Sequence, residues 1–111
     1  MTPEGKVKEK VGKALTALGA YRFMPVQNGM GAPGLDFYCC IRGQFIAIET
    51  KAPGKKLTMR QELTAENIAQ AGGKVFVIRD EADIVRMLQR ISVTAQSNVG
   101  FVEDKLPACR S

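Results

Sequence analysis

The chain has 111 residues, 45% of them hydrophobic, and a formal net charge of +5 from 16 basic and 11 acidic residues. This suits one domain with a real core, argues against disorder, and leaves no apolar run near the roughly 20 residues a membrane helix needs. The chain has no histidine, which removes Ser-His-Asp and Cys-His catalysis and histidine-metal sites, so any chemistry must run on carboxylates, lysines, hydroxyls and amides.

The first residues, Met1 to Lys6, lack the apolar stretch of a signal peptide, so a cytoplasmic protein is expected. Thr2 followed by Pro3 resembles an N-cap with proline at the first helical position. A helix over 3–18 then places Val7, Val11, Ala14, Leu15 and Leu18 on one face, with Glu4 expected on the same inward side and Gly19 as the stop. Residues 21–26 read as a strand, followed by a glycine-rich loop over 28–34 that lacks the Gly-Lys-Ser/Thr of a Walker motif. Leu35 to Ile41 and Gln44 to Lys51 read as a hairpin with Arg42-Gly43 at its turn. Both strands are apolar on both faces, as in a central sheet. After a loop containing Lys55 and Lys56, Thr58 to Gln61 fits a capping box that opens a second helix ending near Gly72-Gly73. Residues 74–78 form a buried strand. Asp80 caps a third helix with Ala82, Ile84, Val85, Leu88 and Ile91 as its apolar positions. Residues 93–111 show no pattern and read as a tail or a partner-contacting arm. The order α-β-β-β-α-β-α implies an α/β fold, a mixed sheet flanked by helices.

Three cysteines are present, Cys39, Cys40 and Cys109. They lack C-x-x-C spacing and are expected to be buried, reduced thiols. Tyr21, Phe23 and Tyr38 are expected in the core. The positive charge suits an anionic polymer such as nucleic acid. It collects in two stretches: Lys6, Lys8, Lys10 and Lys13, then Lys51, Lys55, Lys56 and Arg60.

The hairpin carries the strongest signal. If Ile41 and Gln44 flank the turn, paired residue numbers sum to 85 and Asp36 faces Glu49, with Cβ atoms about 5 Å apart. A two-residue turn and a symmetric four-residue loop give this register, whereas a three-residue loop shifts it. Arginine is disfavoured at the positive φ of a tight turn, which favours the longer loop. Two like charges at that separation cost about 3 kcal/mol at an effective dielectric of 20, a cost that a divalent cation turns into a gain. Oxygen ligands select magnesium or manganese over zinc, and the Thr50 carbonyl is a candidate third ligand. Lys51, two residues beyond Glu49, shares its face and could hold an attacking water or neutralise charge building on a phosphate.

Pro33-Gly34-Leu35-Asp36 followed by Glu49-Thr50-Lys51 resembles the PD-(D/E)XK nuclease signature. The element order is similar to that superfamily's restriction-endonuclease-like αβββαβ core. Within it, residues 4–91 most resemble the stand-alone VRR-NUC nucleases of phage and bacteria, which would place the nuclease domain over 1–92. The proline stands three residues before the aspartate, a spacing found in that branch. The resemblance implies Asp36 and Glu49 as metal ligands beside the Thr50 carbonyl, Lys51 as the catalytic lysine, Glu4 as a further contributor to the metal site, and Gln61 as an active-site glutamine. Glu4 could instead serve only its helix dipole, and Gln61 only its capping box. Lys55, Lys56 and Arg60 are expected to touch DNA phosphates.

The implied activity is Mg2+- or Mn2+-dependent hydrolysis of DNA phosphodiesters leaving a 5′-phosphate. A homodimer cutting Holliday junctions or other branched DNA is the preferred form. The alternatives are a nicking or restriction-type nuclease without junction preference, a DNA-binding module that no longer cuts, and a subunit dependent on a helicase or recombination partner. The expected setting is the cytoplasm of a bacterium or of a phage-infected host cell.

Overall fold

The computed structural model describes residues 2–25, 34–94 and 97–105. In the first helix, α1 (Pro3–Leu18), the Thr2 hydroxyl accepts from the Gly5 N–H at 2.9 Å, and Gly19 ends the helix at φ 71°. That left-handed conformation is one a side chain would resist. Val7, Val11 and Leu15, spaced by four, are buried on one stripe. Glu4, expected to face inward, is exposed in the first turn, ahead of the buried stripe that begins at Val7.

Next come β1 (Tyr21–Phe23), β2 (Phe37–Ile41), β3 (Gln44–Thr50), α2 (Met59–Gln70), β4 (Lys74–Ile78), α3 (Glu81–Val93) and β5 (Phe101–Glu103). The strands lie in chain order in one sheet, β1-β2-β3-β4-β5. The first two pairings are antiparallel and the last two parallel, with α2 and α3 as the crossovers. Alternation along β3 sorts the layers. Ile46 and Ile48 join the core under α1 and α3, with Phe37, Phe76, Ile78 and Met87, while Ala47 joins Leu35, Ala65 and Val75 under α2. The sheet is therefore covered by α1 and α3 on one face and by α2 on the other.

The hairpin register is the one that sums to 85, from Ile41↔Gln44 to Phe37↔Ile48. The turn is the short one: Arg42 at φ 52° and Gly43 at φ 80° form a two-residue connection with both φ angles positive. That handedness matches the twist of the strands, which outweighs the cost of roughly 1–2 kcal/mol for a non-glycine residue there.

Several expectations are corrected. β1 stops at Phe23, ahead of Met24 and Pro25, which were expected in it. Pro25 has no N–H for a ladder, and Val26 with residues 28–33 of the glycine-rich segment lies outside the described residues. Tyr21 and Phe23 are 79% and 63% exposed and Cys40 is also exposed, whereas Cys39 is buried as expected. The reason is coverage: α2 lies over β4 and β5, reaching β3 at Ala47, and leaves the same face of β1 and β2 bare. Cys109 lies outside the described residues. On α3, Met87 and Asp83 are buried while Ala82 and Val85 are exposed, because the helix presents the 84–87–91 stripe to the sheet.

The stretch beyond residue 93 contributes β5, which is too short for periodicity to reveal. Side chains tie it down: Arg90 lies 4.4 Å over the Phe101 ring and bonds Glu103 at 2.9 Å, and Arg79 meets Asp104 at 2.6 Å. No helix among the described residues is long and apolar enough to cross a membrane.

Gly100 leads into β5 against α2, where an added Cβ would collide with the Ala69 carbonyl and crowd that of Gly73. Gly100→Ala is expected to lower stability by about 1–3 kcal/mol, as overpacking against backbone does. Urea unfolding checks this, and an unchanged midpoint would show that β5 can shift without cost.

Candidate active site

Asp36 and Glu49 follow the last paired residues at the open end of the hairpin. The Asp36 N–H donates to Glu49 Oε1 at 3.1 Å. Asp36 Oδ2 accepts from the Thr50 N–H at 2.9 Å and from the Thr50 hydroxyl at 2.5 Å. Each acid is thus fixed by the other strand. β3 is fixed in turn by its parallel neighbour, where Thr50 pairs with Ile78 and the Lys51 N–H donates to the Ile78 carbonyl at 3.0 Å. The site lies where the antiparallel half of the sheet meets the parallel half, at the carboxyl ends of β3 and β4.

Gln61 connects α2 to this end of the sheet. Its Oε1 accepts from the Thr58 N–H at 3.0 Å while the Thr58 hydroxyl accepts from the Gln61 N–H at 3.2 Å, completing the capping box. Its Nε2 donates to Glu49 Oε2 at 2.9 Å. One amide thus completes the capping box and also reaches Glu49. The cap sets its rotamer, and the rotamer aims the amide at the carboxylate. The N-terminal end of α2, electropositive by its dipole, lies on the same side.

Glu49 is only 3% exposed. Burial pushes its carboxyl up from the ordinary 4.5 to about 7, and the Asp36 charge pushes the same way. Lys51 and the Asp36 N–H oppose that rise, and Glu4 adds a smaller contribution to it. The Lys51 ammonium stands 3.7 Å from Glu49 Oε2, largely shielded from solvent. Its attraction offsets only part of the cost.

Lys8 of α1, not singled out from sequence, stands 3.5 Å from Asp36 Oδ1. The signal for it was available. Lys8 lies four residues after Glu4, one turn along the same helix face, so an α1 that brings Glu4 toward the site brings Lys8 with it. Lys55, Lys56 and Arg60 are exposed on the segment that leads from β3 into α2. Buried Arg79 anchors that segment, its Nε donating to the Lys55 carbonyl at 2.8 Å and its backbone N–H to Asp83 at 2.9 Å.

Among the described residues, no three His, Cys, Asp or Glu side chains come within reach of one metal ion. Glu4 is near enough to act on Glu49 through its charge but is not gathered with the pair. The chemistry of the pair nonetheless fits a hard divalent cation. Two adjacent carboxylates, one of them buried and reluctant to ionise, are a donor set that a cation of high charge relieves.

No protein-family model matches the chain, and no curated protein does. A solved structure described as a VRR_NUC domain does match, with a TM-score of 0.71 and 22% identity, covering 80% of this chain and 97% of that one. The chain therefore has the fold of a VRR_NUC domain, an α/β restriction-endonuclease-like fold. The mixed sheet flanked by helices expected from sequence is the one observed.

The raised proton affinity of Glu49 has a signed consequence for stability. The folded state holds this proton between pH 4.5 and about 7 and the unfolded state does not, so stability falls as pH rises through that window. The full penalty above it is about 3 kcal/mol. Glu49→Gln in metal-free protein is expected to match wild type near the low end of the window and to exceed it progressively above. Urea melts across this range provide the check, and a pH-independent difference would mean that Glu49 ionises normally.

Proposed function

We infer that the protein is a metal-dependent DNA endonuclease that hydrolyses phosphodiester bonds. The observation that carries this reading is the cross-strand pair Asp36–Glu49, with Lys51 on the Glu49 side and Gln61 holding Glu49 in place. The likeness in fold to a VRR_NUC domain supports it.

A Mg2+ or Mn2+ ion held by the Asp36 and Glu49 carboxylates, with the Thr50 carbonyl as a further oxygen donor and Glu4 adding negative charge from α1, would supply Lewis acidity toward the scissile phosphate. The protein's own residues do the rest. Thr50 holds Asp36 through two hydrogen bonds to Oδ2. Oδ1 is paired with Lys8 at 3.5 Å. Gln61 is a positioning residue that keeps Glu49 Oε2 turned toward Lys51. The Lys51 ammonium, with its main chain pinned to β4, orients the attacking water and neutralises charge that develops on the phosphate. Such preorganised electrostatics are worth about 10²–10³ in rate for a single donor. Lys55, Lys56 and Arg60 would contact the DNA backbone beside the site.

The preferred form is a homodimer acting on branched DNA such as a four-way junction. The bare aromatic face formed by β1 and the start of β3, with Tyr21 79%, Phe23 63% and Phe45 50% exposed, favours a partner copy. A nicking or restriction-type activity without junction preference remains the alternative within the same chemistry.

Supercoiled plasmid incubated with Mg2+ or Mn2+ is expected to be nicked, and chelation should abolish the activity. Lys51→Ala should lower the rate by about a hundredfold or more while calorimetry still detects Mn2+ binding. Asp36→Asn should lose both. A Lys51→Ala protein that cuts normally refutes the assigned role, and a wild-type protein that binds DNA without cutting under any metal would leave a binding module. Sedimentation, together with cleavage of a four-way junction and a matched linear duplex, tests the finer form. A monomer, or equal cutting of both substrates, would overturn it.

A further inference from the structure

A groove of about 550 Å³ runs between α1 and the β1 edge of the sheet, lined by Gly5, Lys8, Glu9, Gly12, Lys13 and Arg22 among others. Three features of this groove concern charge. Lys8, one of its lining residues, is ion-paired with Asp36 at 3.5 Å, which links the groove to the acid pair. Arg22 reaches back from β1 across α1, its Nη1 donating to the Gly12 carbonyl at 2.6 Å and lying 3.3 Å from the Thr16 hydroxyl. Both acceptors are neutral, and among the described residues neither Arg22 nor Lys13 has a carboxylate within 4 Å. The guanidinium is therefore held in place without being neutralised, which is the state of a cation set for an anion from outside. Gly5 and Gly12 leave part of the helix without side chains. A Cβ at Gly12 would pack against the Arg22 guanidinium at 3.7 Å.

Lys10 of the same helix, by contrast, is bonded to Glu81 at 2.7 Å. Among the described residues, the groove lining thus carries two cations without a carboxylate partner, Lys13 and Arg22, against Glu9 as its single acidic residue.

We propose that this groove is a second nucleic-acid binding surface, in which Lys13 and Arg22 hold backbone phosphates of a strand passing Lys8 into the acid pair. The proposal rests on the nuclease reading of that pair and deepens it. Lys55, Lys56 and Arg60 lie on the segment entering α2, across the sheet from α1. The strand would therefore be gripped on both sides of the site, and the α1 side would set its direction of approach.

The test is fluorescence anisotropy of a labelled DNA duplex and a labelled single strand, titrated across a salt series with the Lys51→Ala protein so that the DNA stays intact. Lys13→Glu combined with Arg22→Gln is expected to weaken binding by about tenfold or more and to reduce the salt slope by about two. Lys13→Glu alone, at an exposed position with no fold role, should reduce the slope by about one, which keeps the test valid if the Arg22 change unfolds β1. Glu9→Gln should tighten binding, and Arg42→Glu, at the far end of the hairpin, should leave it unchanged.

An unchanged slope in the Lys13 variant, or an equal loss with Arg42→Glu, overturns the groove. Displacement of DNA by millimolar inorganic phosphate at constant ionic strength would make it a small-anion site and overturn it as well. The two readings separate on plasmid cleavage. Wild type that cuts and binds while the groove variants bind equally sinks the groove alone, whereas wild type that neither cuts nor binds sinks both.

Discussion

Glu49 is buried beside another carboxylate at the end of a hairpin, and its neighbours return only part of what that burial costs. Four elements converge to make the arrangement tolerable. β2 supplies the Asp36 N–H, α2 the Gln61 amide, β3 the Lys51 ammonium, and α1 the Lys8 ammonium that balances Asp36. Every helix-to-sheet relation that places the site can be read as serving this pair. The residual cost is what the cation proposed for this site would offset.

The sheet explains why the convergence occurs there. β3 is the one strand with an antiparallel neighbour on one side and a parallel neighbour on the other. Its carboxyl end therefore meets the start of β2, the end of β4 and the entry to α2 in one place. In open α/β sheets such carboxyl-end positions are where ligands bind, because the chain diverges there and leaves a crevice. Arg79 at the end of β4 closes the crevice from behind, joining the Lys55 carbonyl, Asp83 and Asp104.

Much of this was legible in the sequence, and the misses share a cause. Helix caps at Thr2, Thr58 and Asp80, the strand over 74–78 and the register of Asp36 against Glu49 all follow from local rules about spacing and termini. Features that depend on how elements dock did not show. Lys8 carried a signal in its spacing from Glu4, but it meets Asp36 only through the docking of α1 on the sheet. Tyr21, Phe23 and Cys40 face outward because α2 covers half a sheet face, and Met87 replaces Val85 in the core because α3 is rotated about its axis. β5 is held by contacts from Arg90 and Arg79, neither of which marks a strand. Arg42 in a left-handed turn is a local miss, where strand twist outweighed residue preference.

That turn acts as a mechanical index for chemistry it never touches. Asp36 and Glu49 are each five residues from it, a span of about 17 Å along the strands. Their alignment is carried there by the ladder alone. A chain one residue longer at Arg42-Gly43 would slide one strand against the other and turn one acid to the opposite side of the sheet, while a chain two residues longer would leave the pair facing. Tolerance to length change at this exposed tip is therefore a matter of odd and even, and the hairpin transmits that distinction intact to the open end.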